Sequence, residues 1–272
     1  MLPFVQVFNH SINMYWLSEA VGVLLACGLT FLRVRSGRFQ TSGKDMFFIW
    51  LLIIVGAWTG ATLFQFVGHA VLRGSNPAFW TVQNLLSFLR SGGVFYGAMV
   101  GGVLAMTIYI RKRKLDFRDT TDILVPCFLL YYAFNRLGCF FAGCCFGREA
   151  AWGIPRFPGG VPLIPVQLIS VVFILIVLAE MLIFCPERKR PGVLLPIYLI
   201  IYAIGRFLIE FMRGDVSRGV FIFSTSQWIS LAILLTLGVV FMIRRRKRQD
   251  KTNEIPKESL SLEGNACENK PQ

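Results

Sequence analysis

Two arginines that lie among apolar residues have the chemistry to bind an anion. Tyr202, Arg206 and Glu210 are spaced i, i+4 and i+8, so they share one face of a helix. Glu210 can pair with Arg206, and Arg213 follows one turn later. Arg136, by contrast, has no carboxylate three or four residues away in the sequence. Because a guanidinium group can bind phosphate through two donors at once, the two arginines predict a phosphate-binding site.

The elements that must position these side chains are membrane-spanning helices. The chain carries seven apolar runs of about the 20 residues needed to cross a hydrocarbon core. Most of its 28 Lys and Arg residues lie in four clusters between pairs of these runs, and cytoplasmic loops collect such residues. The pattern predicts an all-α, seven-transmembrane-helix bundle with the N-terminus outside and the C-terminus in the cytoplasm. The predicted spans are 14–32, 46–69, 93–110, 121–141, 162–184, 192–212 and 220–243.

Composition supports one membrane domain and argues against nucleic-acid binding. The 272 residues are 55% apolar and carry a formal net charge of +13. Because the positive charge lies in short loops beside the spans, membrane orientation explains it and nucleic-acid binding is not expected. We expect a membrane domain over 1–245, with its first span retained, and a disordered, basic and polar cytoplasmic tail over 246–272.

Polar residues occur at one depth in the predicted bundle. With the N-terminus outside, every span contributes a polar group to its outer half. Such groups are costly in a membrane and tend to mark functional sites. They predict a polar cavity that opens toward the outer leaflet, where a lipid headgroup phosphate is the nearest anion. Unrelated hydrogen bonds between helices are the alternative. The group includes Tyr15, Tyr96, Asn135, Arg136, Gln167, Tyr202, Arg206 and Glu210.

A glycine-rich segment opens the third span. Gly92, Gly93 and Gly97 are followed by Gly101 and Gly102. Glycine at a helix start exposes backbone N–H groups to an anion, and glycine within a helix lets a neighbouring helix approach closely. Packing is favoured for Gly101 and Gly102, and both interpretations stay open for Gly92 and Gly93.

Three cysteines lie at the outer end of the predicted fourth span. Cys139, Cys144 and Cys145 match no complete metal-binding pattern, and the chain has only two histidines. No metal and no cofactor are therefore expected. A disulfide on the oxidising side of the membrane, packing of small side chains and a redox or thiol-relay role all stay open.

The segment around Arg136 resembles a signature of the bacterial prolipoprotein diacylglyceryl transferases. Asn135-Arg136-Leu137-Gly138-Cys139-Phe140, followed by Gly143 and Gly147, is similar to the pattern G-R-x-G-N-F…G…G. Other blocks resemble family motifs in the same order: Asn13-Met14-Tyr15-Trp16-Leu17, Gly92-Gly93-Val94-Phe95-Tyr96-Gly97, Pro165-Val166-Gln167-Leu168, Tyr202 to Arg213 (Y-x-x-x-R-x-x-x-E-F-x-R) and Ser226-Gln227. The resemblance covers about residues 13–245.

This resemblance implies transfer of diacylglycerol from phosphatidylglycerol to the lipobox cysteine of a preprolipoprotein, at the outer leaflet of a bacterial inner membrane. Phosphatidylglycerol, the lipobox segment and the bilayer are the implied partners. Arg136 and Arg206 would polarise the phosphate, Glu210 would orient Arg206, and Tyr96 stands at a family His position. The implied substrate-binding residues are Tyr15, Gly92, Gly93, Gly97, Asn135, Gly138, Cys139, Cys144, Gln167, Tyr202 and Arg213.

The chain departs from the family pattern at two cysteines. Cys139 replaces the signature Asn, and Cys144 replaces a Glu six residues after the signature Gly138. Two alternatives follow: a relative that binds or transfers anionic lipid without this acceptor, and a membrane thiol oxidoreductase. Which group removes the proton of the acceptor thiol also stays open.

Overall fold

The computed structural model describes residues 4–7, 10–37, 39, 41–73, 81, 95–155, 159–184, 192–214, 219–220 and 222–267. The described residues form seven α-helices: α1 (Met14–Arg35), α2 (Gly43–Arg73), α3 (Phe95–Lys112), α4 (Phe117–Ala142), α5 (Val166–Phe184), α6 (Leu194–Glu210) and α7 (Thr225–Cys267). Six strands pair two by two: β1 (Phe4–Val7) with β2 (His10–Asn13), β3 (Glu149–Pro155) with β4 (Pro162–Leu163), and β5 (Gly219–Val220) with β6 (Phe223–Ser224).

Each predicted span coincides with one of these helices, in order. Within the described residues, five helices are long and apolar enough to cross a membrane: Met14–Arg35, Gly43–Val71, Phe117–Ala142, Val166–Ile183 and Thr225–Lys247. The chain is therefore a mostly helical membrane protein, and the count of seven spans and their orientation stay predictions. The backbone of α7 is helical to Cys267, in the segment where the sequence predicts a disordered tail. Disorder of that tail in solution also stays a prediction.

The chain divides into two compact units. The first comprises Met1–Cys145, Pro155–Val161 and Gln167–Leu195, and the second comprises Phe146–Ile154, Pro162–Val166 and Pro196–Gln272. In the first unit, α1 packs against α4 and α2 packs against α3. The Trp50 indole donates a hydrogen bond to Thr30 Oγ1 at 2.9 Å, which satisfies the polar edge of a buried aromatic ring.

Glycines allow α2 and α3 to approach closely. Gly56 and Gly60 of α2 face Gly97 and Gly101 of α3, so each helix contributes a G-x-x-x-G pair. A Cβ atom added at Gly56 would lie 2.7 Å from the Gly101 carbonyl oxygen, and one at Gly60 would clash with the Gly97 carbonyl oxygen. The packing role predicted for Gly101 is confirmed.

A buried carboxylate caps the start of α6. Asp122 is fully buried in α4 and accepts hydrogen bonds from the backbone N–H groups of Gly192 at 2.6 Å and Leu194 at 3.1 Å. These groups have no acceptor inside the helix, and a negative charge at a helix N-terminus is stabilising. Asp122 thus fixes where α6 begins.

In the second unit, a short backbone ladder follows α6. Arg148 N donates to Met212 O at 3.0 Å, and Gly214 N donates to Phe146 O at 3.2 Å. A Cβ atom at Gly214 would lie 2.5 Å from Gly147 O, so the ladder requires glycine there. The ladder anchors the chain directly beyond Glu210, the last residue of α6.

Candidate active site

The C-terminal end of α4 packs against α1 at a signature glycine. A Cβ atom added at Gly138 would lie 3.2 Å from the Tyr15 ring and 3.3 Å from Ser18 Cβ. Asn13 accepts a hydrogen bond from Tyr15 N at 2.9 Å and so starts α1 at this level. Gly138 therefore lets the two helices place Tyr15 beside the α4 signature.

Asn135 is held by a carboxylate that the sequence analysis did not include among the site residues. Its Nδ2 donates a short hydrogen bond to Glu19 Oε1 of α1. The Tyr15 and Tyr131 side chains interact electrostatically with the same carboxylate. Glu19 thus links the first span to the signature segment. Its position within a membrane span was the available signal, because an ionisable residue there is costly and needs partners.

Arg136 is half-buried and lies over an aromatic ring. Its guanidinium carbon is 4.8 Å from the centroid of the Tyr132 ring, one helical turn earlier. Tyr132 itself is 6% exposed. A guanidinium stacked on a ring keeps its charge and loses rotamer freedom, so Tyr132 pre-orients the positive group for an anion.

The three cysteines come together where α4 ends. Gly143 adopts the left-handed conformation with φ of 69° and ends the helix. Its N–H donates to Phe140 O at 3.1 Å, while Cys144 N donates to Cys139 O at 3.2 Å, which is the Schellman arrangement. This turn folds Cys144 and Cys145 back over Cys139, and the three sulfur atoms lie within 4.8 Å of one another. They are the described residues best suited to hold a metal ion.

Burial and neighbouring thiols determine the pKa of the Cys144 thiol. Cys144 lies just beyond the end of α4. Its hydrogen bond with Cys139 lowers the pKa of its thiol, but hydrogen bonding with Cys145 and burial raise it more. The net pKa of Cys144 therefore lies above the ordinary value for a cysteine, so the isolated thiol is protonated at neutral pH.

Gln167 fixes the same turn from the start of α5. It is 1% exposed, and its Nε2 donates to the Cys144 carbonyl oxygen at 2.5 Å. The depth of Gln167 and the family resemblance of its segment predict a role in substrate binding. The structure gives it a direct contact with the cysteine cluster.

In the second unit, Arg206 of α6 and Arg213 just beyond the helix end are largely buried and share one carboxylate. Arg206 Nη2 lies 2.6 Å from Glu210 Oε2, and Arg213 Nη1 lies 3.8 Å from the same oxygen. Side-chain exposure is 13% for Arg206 and 5% for each of the other two. One negative charge thus faces two positive charges in a largely desolvated setting. The predicted pairing of Arg206 with Glu210 is confirmed.

Ser226 contacts this cluster, and Tyr202 precedes Arg206 by one helical turn. Ser226, in the first turn of α7, accepts a hydrogen bond from Arg206 Nη2 at 3.0 Å. Tyr202 lies one turn before Arg206, with its ring centroid 5.6 Å from that of Tyr198. Gln227, which follows Ser226, forms a reciprocal capping pair with Ser224. Ser224 N donates to Gln227 Oε1 at 2.9 Å, and Gln227 N donates to Ser224 Oγ at 3.3 Å. This cap starts α7 and so positions Ser226.

The remaining predicted site residues belong to the glycine-rich segment over 92–97 of the sequence. Gly97 packs against Gly60 of α2, as described above. Gly92 and Gly93 lie outside the described residues. The backbone of Tyr96 is in the first turn of α3, and its side chain lies outside the description.

Comparison with known proteins identifies the family. The model of the prolipoprotein diacylglyceryl transferases matches residues 3–244 of the chain. The chain belongs to the prolipoprotein diacylglyceryl transferase family. It is therefore a transferase, and the resemblance noted in its motifs is confirmed.

Several curated relatives are similar over three quarters or more of their length. The phosphatidylglycerol–prolipoprotein diacylglyceryl transferase of Clostridium tetani (strain Massachusetts / E88) is 31% identical over 251 residues, which cover 90% of this chain and 98% of the relative. Transferase 2 of the same name from Clostridium perfringens (strain 13 / Type A) is 30% identical, with 92% and 97% covered. The enzyme of that name from Idiomarina loihiensis is 30% identical, with 75% and 76% covered.

Within this diacylglyceryl transferase, the predicted site residues fall into two groups, one in each compact unit. The first unit contains Tyr15, Asn135, Arg136, Gly138, Cys139, Cys144 and Gln167. The second unit contains Tyr202, Arg206, Glu210 and Arg213. The sequence predicted both arginine environments, but it predicted neither the contact of Glu19 with Asn135 nor that of Ser226 with Arg206.

Proposed function

We propose that this chain transfers the diacylglyceryl group of phosphatidylglycerol to the lipobox cysteine thiol of preprolipoproteins. Its relatives carry phosphatidylglycerol and prolipoprotein in their names. Phosphatidylglycerol presents an anionic phosphate between its two glycerol groups, so the enzyme must bind that phosphate and stabilise it as it leaves. The reaction forms a thioether and releases glycerol phosphate.

The observation that carries this proposal is the shared carboxylate of α6. Glu210 brings one negative charge against the two positive charges of Arg206 and Arg213, and all three side chains are largely buried. Charges away from water interact strongly, so a phosphate group added to this cluster would be favourable. Glu210 orients Arg206, while Arg206 stabilises the charge that develops on the phosphate oxygens.

Arg136 supplies the second guanidinium group to the headgroup in this proposal. Its stacking on Tyr132 supports the role, because a restrained cation loses less freedom when the lipid binds. Asn135, held by Glu19, and Tyr15 line the headgroup pocket. Tyr202 belongs to the α6 motif that carries Arg206, and Tyr96 acts at the position where the family has His.

The bond changes follow from these roles. The acceptor thiol gives its proton to a base or to water, and the resulting thiolate attacks the glycerol carbon that bears the phosphate. The carbon–oxygen bond to phosphate breaks, and its electron pair leaves with glycerol phosphate. Electrostatic stabilisation of this leaving group is the largest contribution expected from the protein.

The proposed setting is the outer leaflet of a bacterial inner membrane. In the seven-span arrangement, with the N-terminus outside, the basic clusters lie in the cytoplasm and the polar groups of the spans lie in the outer half of the bilayer. Phosphatidylglycerol and the lipobox segment of an exported precursor meet at that level.

Complementation tests the proposal directly. The chain is expressed in a bacterium whose own diacylglyceryl transferase can be depleted, beside the variants Arg136→Ala and Arg206→Ala. Arg111→Ala is the matched control, since Arg111 is an exposed arginine in the last turn of α3. We expect the unaltered chain and the control to restore growth and to add a diacylglyceryl mass to the lipoprotein cysteine, and the two test variants to fail. Unmodified precursor, despite confirmed membrane insertion of the unaltered chain, would exclude the proposed reaction.

A further inference from the structure

The cysteine cluster has chemistry that the proposed phosphate site does not use. Cys139, Cys144 and Cys145 bring three sulfur ligands to one point. We propose that these three cysteines bind a thiophilic d10 cation, most favourably Zn²⁺. The acceptor thiol then occupies the open fourth coordination position of this cation. This inference rests on the proposed function for the identity of that thiol, while the metal site itself stands on the geometry of the turn.

The backbone conformation around Gly143 holds the three cysteines close together. The Schellman turn at Gly143 returns Cys144 to the last turn of α4, where Cys139 is buried. Cys145 then adopts φ of 57°, in the left-handed region that residues with a side chain rarely occupy. Backbone strain of this kind concentrates at functional sites, and here it keeps the third sulfur atom beside the other two.

The sulfur spacing is close to what zinc requires. Zn–S bonds of about 2.3 Å in a tetrahedron place the sulfur atoms about 3.8 Å apart. The three Sγ atoms already lie within 4.8 Å of one another, so small side-chain rotations suffice to close the site. Three thiolates select soft cations, and three protein ligands leave the fourth position open, as in catalytic zinc sites.

The surroundings suit a site with negative charge. Three thiolates and Zn²⁺ together carry one negative charge, and the Arg136 guanidinium interacts electrostatically with the Cys139 thiol. Gln167 is fully buried beside Cys144, and its Oε1 accepts no hydrogen bond from the described residues. That oxygen can accept a hydrogen bond from a water molecule on the cation.

A cation at this site would promote deprotonation of the acceptor thiol. Each cysteine releases one proton on binding the cation, and the acceptor thiol releases one when it enters the open position, because a coordinated thiol is deprotonated. The coordinated sulfur attacks the glycerol carbon, and the carbon–oxygen bond to phosphate breaks. Its electrons leave with glycerol phosphate, which takes up a proton from water. No electron is exchanged with the cation, since Zn²⁺ has no redox chemistry.

Cobalt binding tests the metal site without any transfer assay. The full chain is purified in detergent under anaerobic, reducing conditions, freed of metal with a chelator and titrated with Co²⁺, whose thiolate complexes absorb strongly in the near ultraviolet. We expect this absorption to saturate at one equivalent and Zn²⁺ to abolish it. Cys144→Ser and Cys145→Ser each should weaken Co²⁺ binding more than about 100-fold, beyond the 10–100-fold cost typical of losing an outer-shell contact.

Cys27→Ser is the matched control, because Cys27 is a half-buried free cysteine of α1. It should bind Co²⁺ like the unaltered chain. Helix content by circular dichroism and elution volume establish that each variant is folded, and either of the two cysteine variants alone suffices for the comparison. Absence of the absorption in the unaltered chain, or equal absorption in the Cys145→Ser variant, would overturn the metal site.

An acceptor peptide tests the open position. A lipobox peptide with a single cysteine should change the visible Co²⁺ spectrum on binding, and the same peptide with serine should not. An unchanged spectrum at saturating cysteine peptide would overturn thiol activation by the cation. Because neither spectrum depends on lipid transfer, failure here differs from failure of the complementation test. Transfer that continues undiminished in the metal-free chain would reject the cation role while supporting the proposed function.

Discussion

Ser226 Oγ accepts a hydrogen bond from Arg206 Nη2 at 3.0 Å, at the same nitrogen that lies 2.6 Å from Glu210 Oε2. Within the described residues, Ser226 and Glu210 therefore both contact the guanidinium group of Arg206 through Nη2. The Nε and Nη1 donors have no protein acceptor among those residues. A phosphate group can use these donors without displacing the contacts that orient the side chain.

Replacement of Ser226 by Ala should weaken the lipid site without unfolding it. A hydrogen bond to a charged group contributes about 1.5–3 kcal/mol, so misorientation of Arg206 should raise KM for phosphatidylglycerol about tenfold. Ser230→Ala is the control, since the Ser230 hydroxyl bonds only to the Ser226 carbonyl oxygen among the described residues. Transfer kinetics with phosphatidylglycerol vesicles measure both. Equal KM values for the two variants would show that Ser226 does not orient the arginine.

Glu210→Gln should cost stability as well as activity. The substitution removes the negative charge that Arg206 and Arg213 share, and breaking a buried ion pair from one side costs about 3 kcal/mol. We expect a lower melting temperature in detergent and a lower kcat for transfer. A melting temperature equal to that of the unaltered chain would mean that this carboxylate is not what neutralises the two arginines.

Gly101→Ala and Gly68→Ala should change stability in opposite directions. A Cβ atom at Gly101 would clash with the Gly56 carbonyl oxygen, so the two helices must separate at a cost of about 1–3 kcal/mol. A Cβ atom at Gly68 of α2 meets nothing within 4 Å, and alanine there should stabilise the helix by about 0.5–1 kcal/mol. Thermal unfolding in detergent compares them. Destabilisation of the same size in both variants would rule out the G-x-x-x-G contact.

The sequence predicts features that depend on local spacing. The apolar runs and basic clusters predicted where the helices lie, and the i, i+4 spacing of Arg206 and Glu210 predicted an ion pair that the structure confirms. Both follow from helix periodicity, which acts within one segment. The order of the motifs likewise predicted the family, which its model confirms over residues 3–244.

Contacts between segments were not predictable from spacing. Glu19 reaches Asn135 across 116 residues of chain, and the periodicity of either helix gives no register between them. The cysteine cluster depends on the left-handed conformation of Gly143, which reverses the chain at the end of α4. Since a glycine after an apolar run is a common stop signal, the sequence indicated the helix end but not the convergence of three sulfur atoms.

The aromatic ring beneath Arg136 provides the last test. Tyr132→Leu removes the ring that lies 4.8 Å from the guanidinium carbon, while Tyr132→Phe keeps it. A cation–π contact contributes about 0.5–2 kcal/mol, so transfer with the leucine variant should fall about three- to tenfold in kcat/KM, and the phenylalanine variant should stay within about twofold of the unaltered chain. Vesicle transfer assays at equal amounts of folded protein measure the ratio. If both variants lose activity equally, the Tyr132 hydroxyl rather than its ring supports Arg136. The stacking of Arg136 on the ring then contributes nothing to transfer.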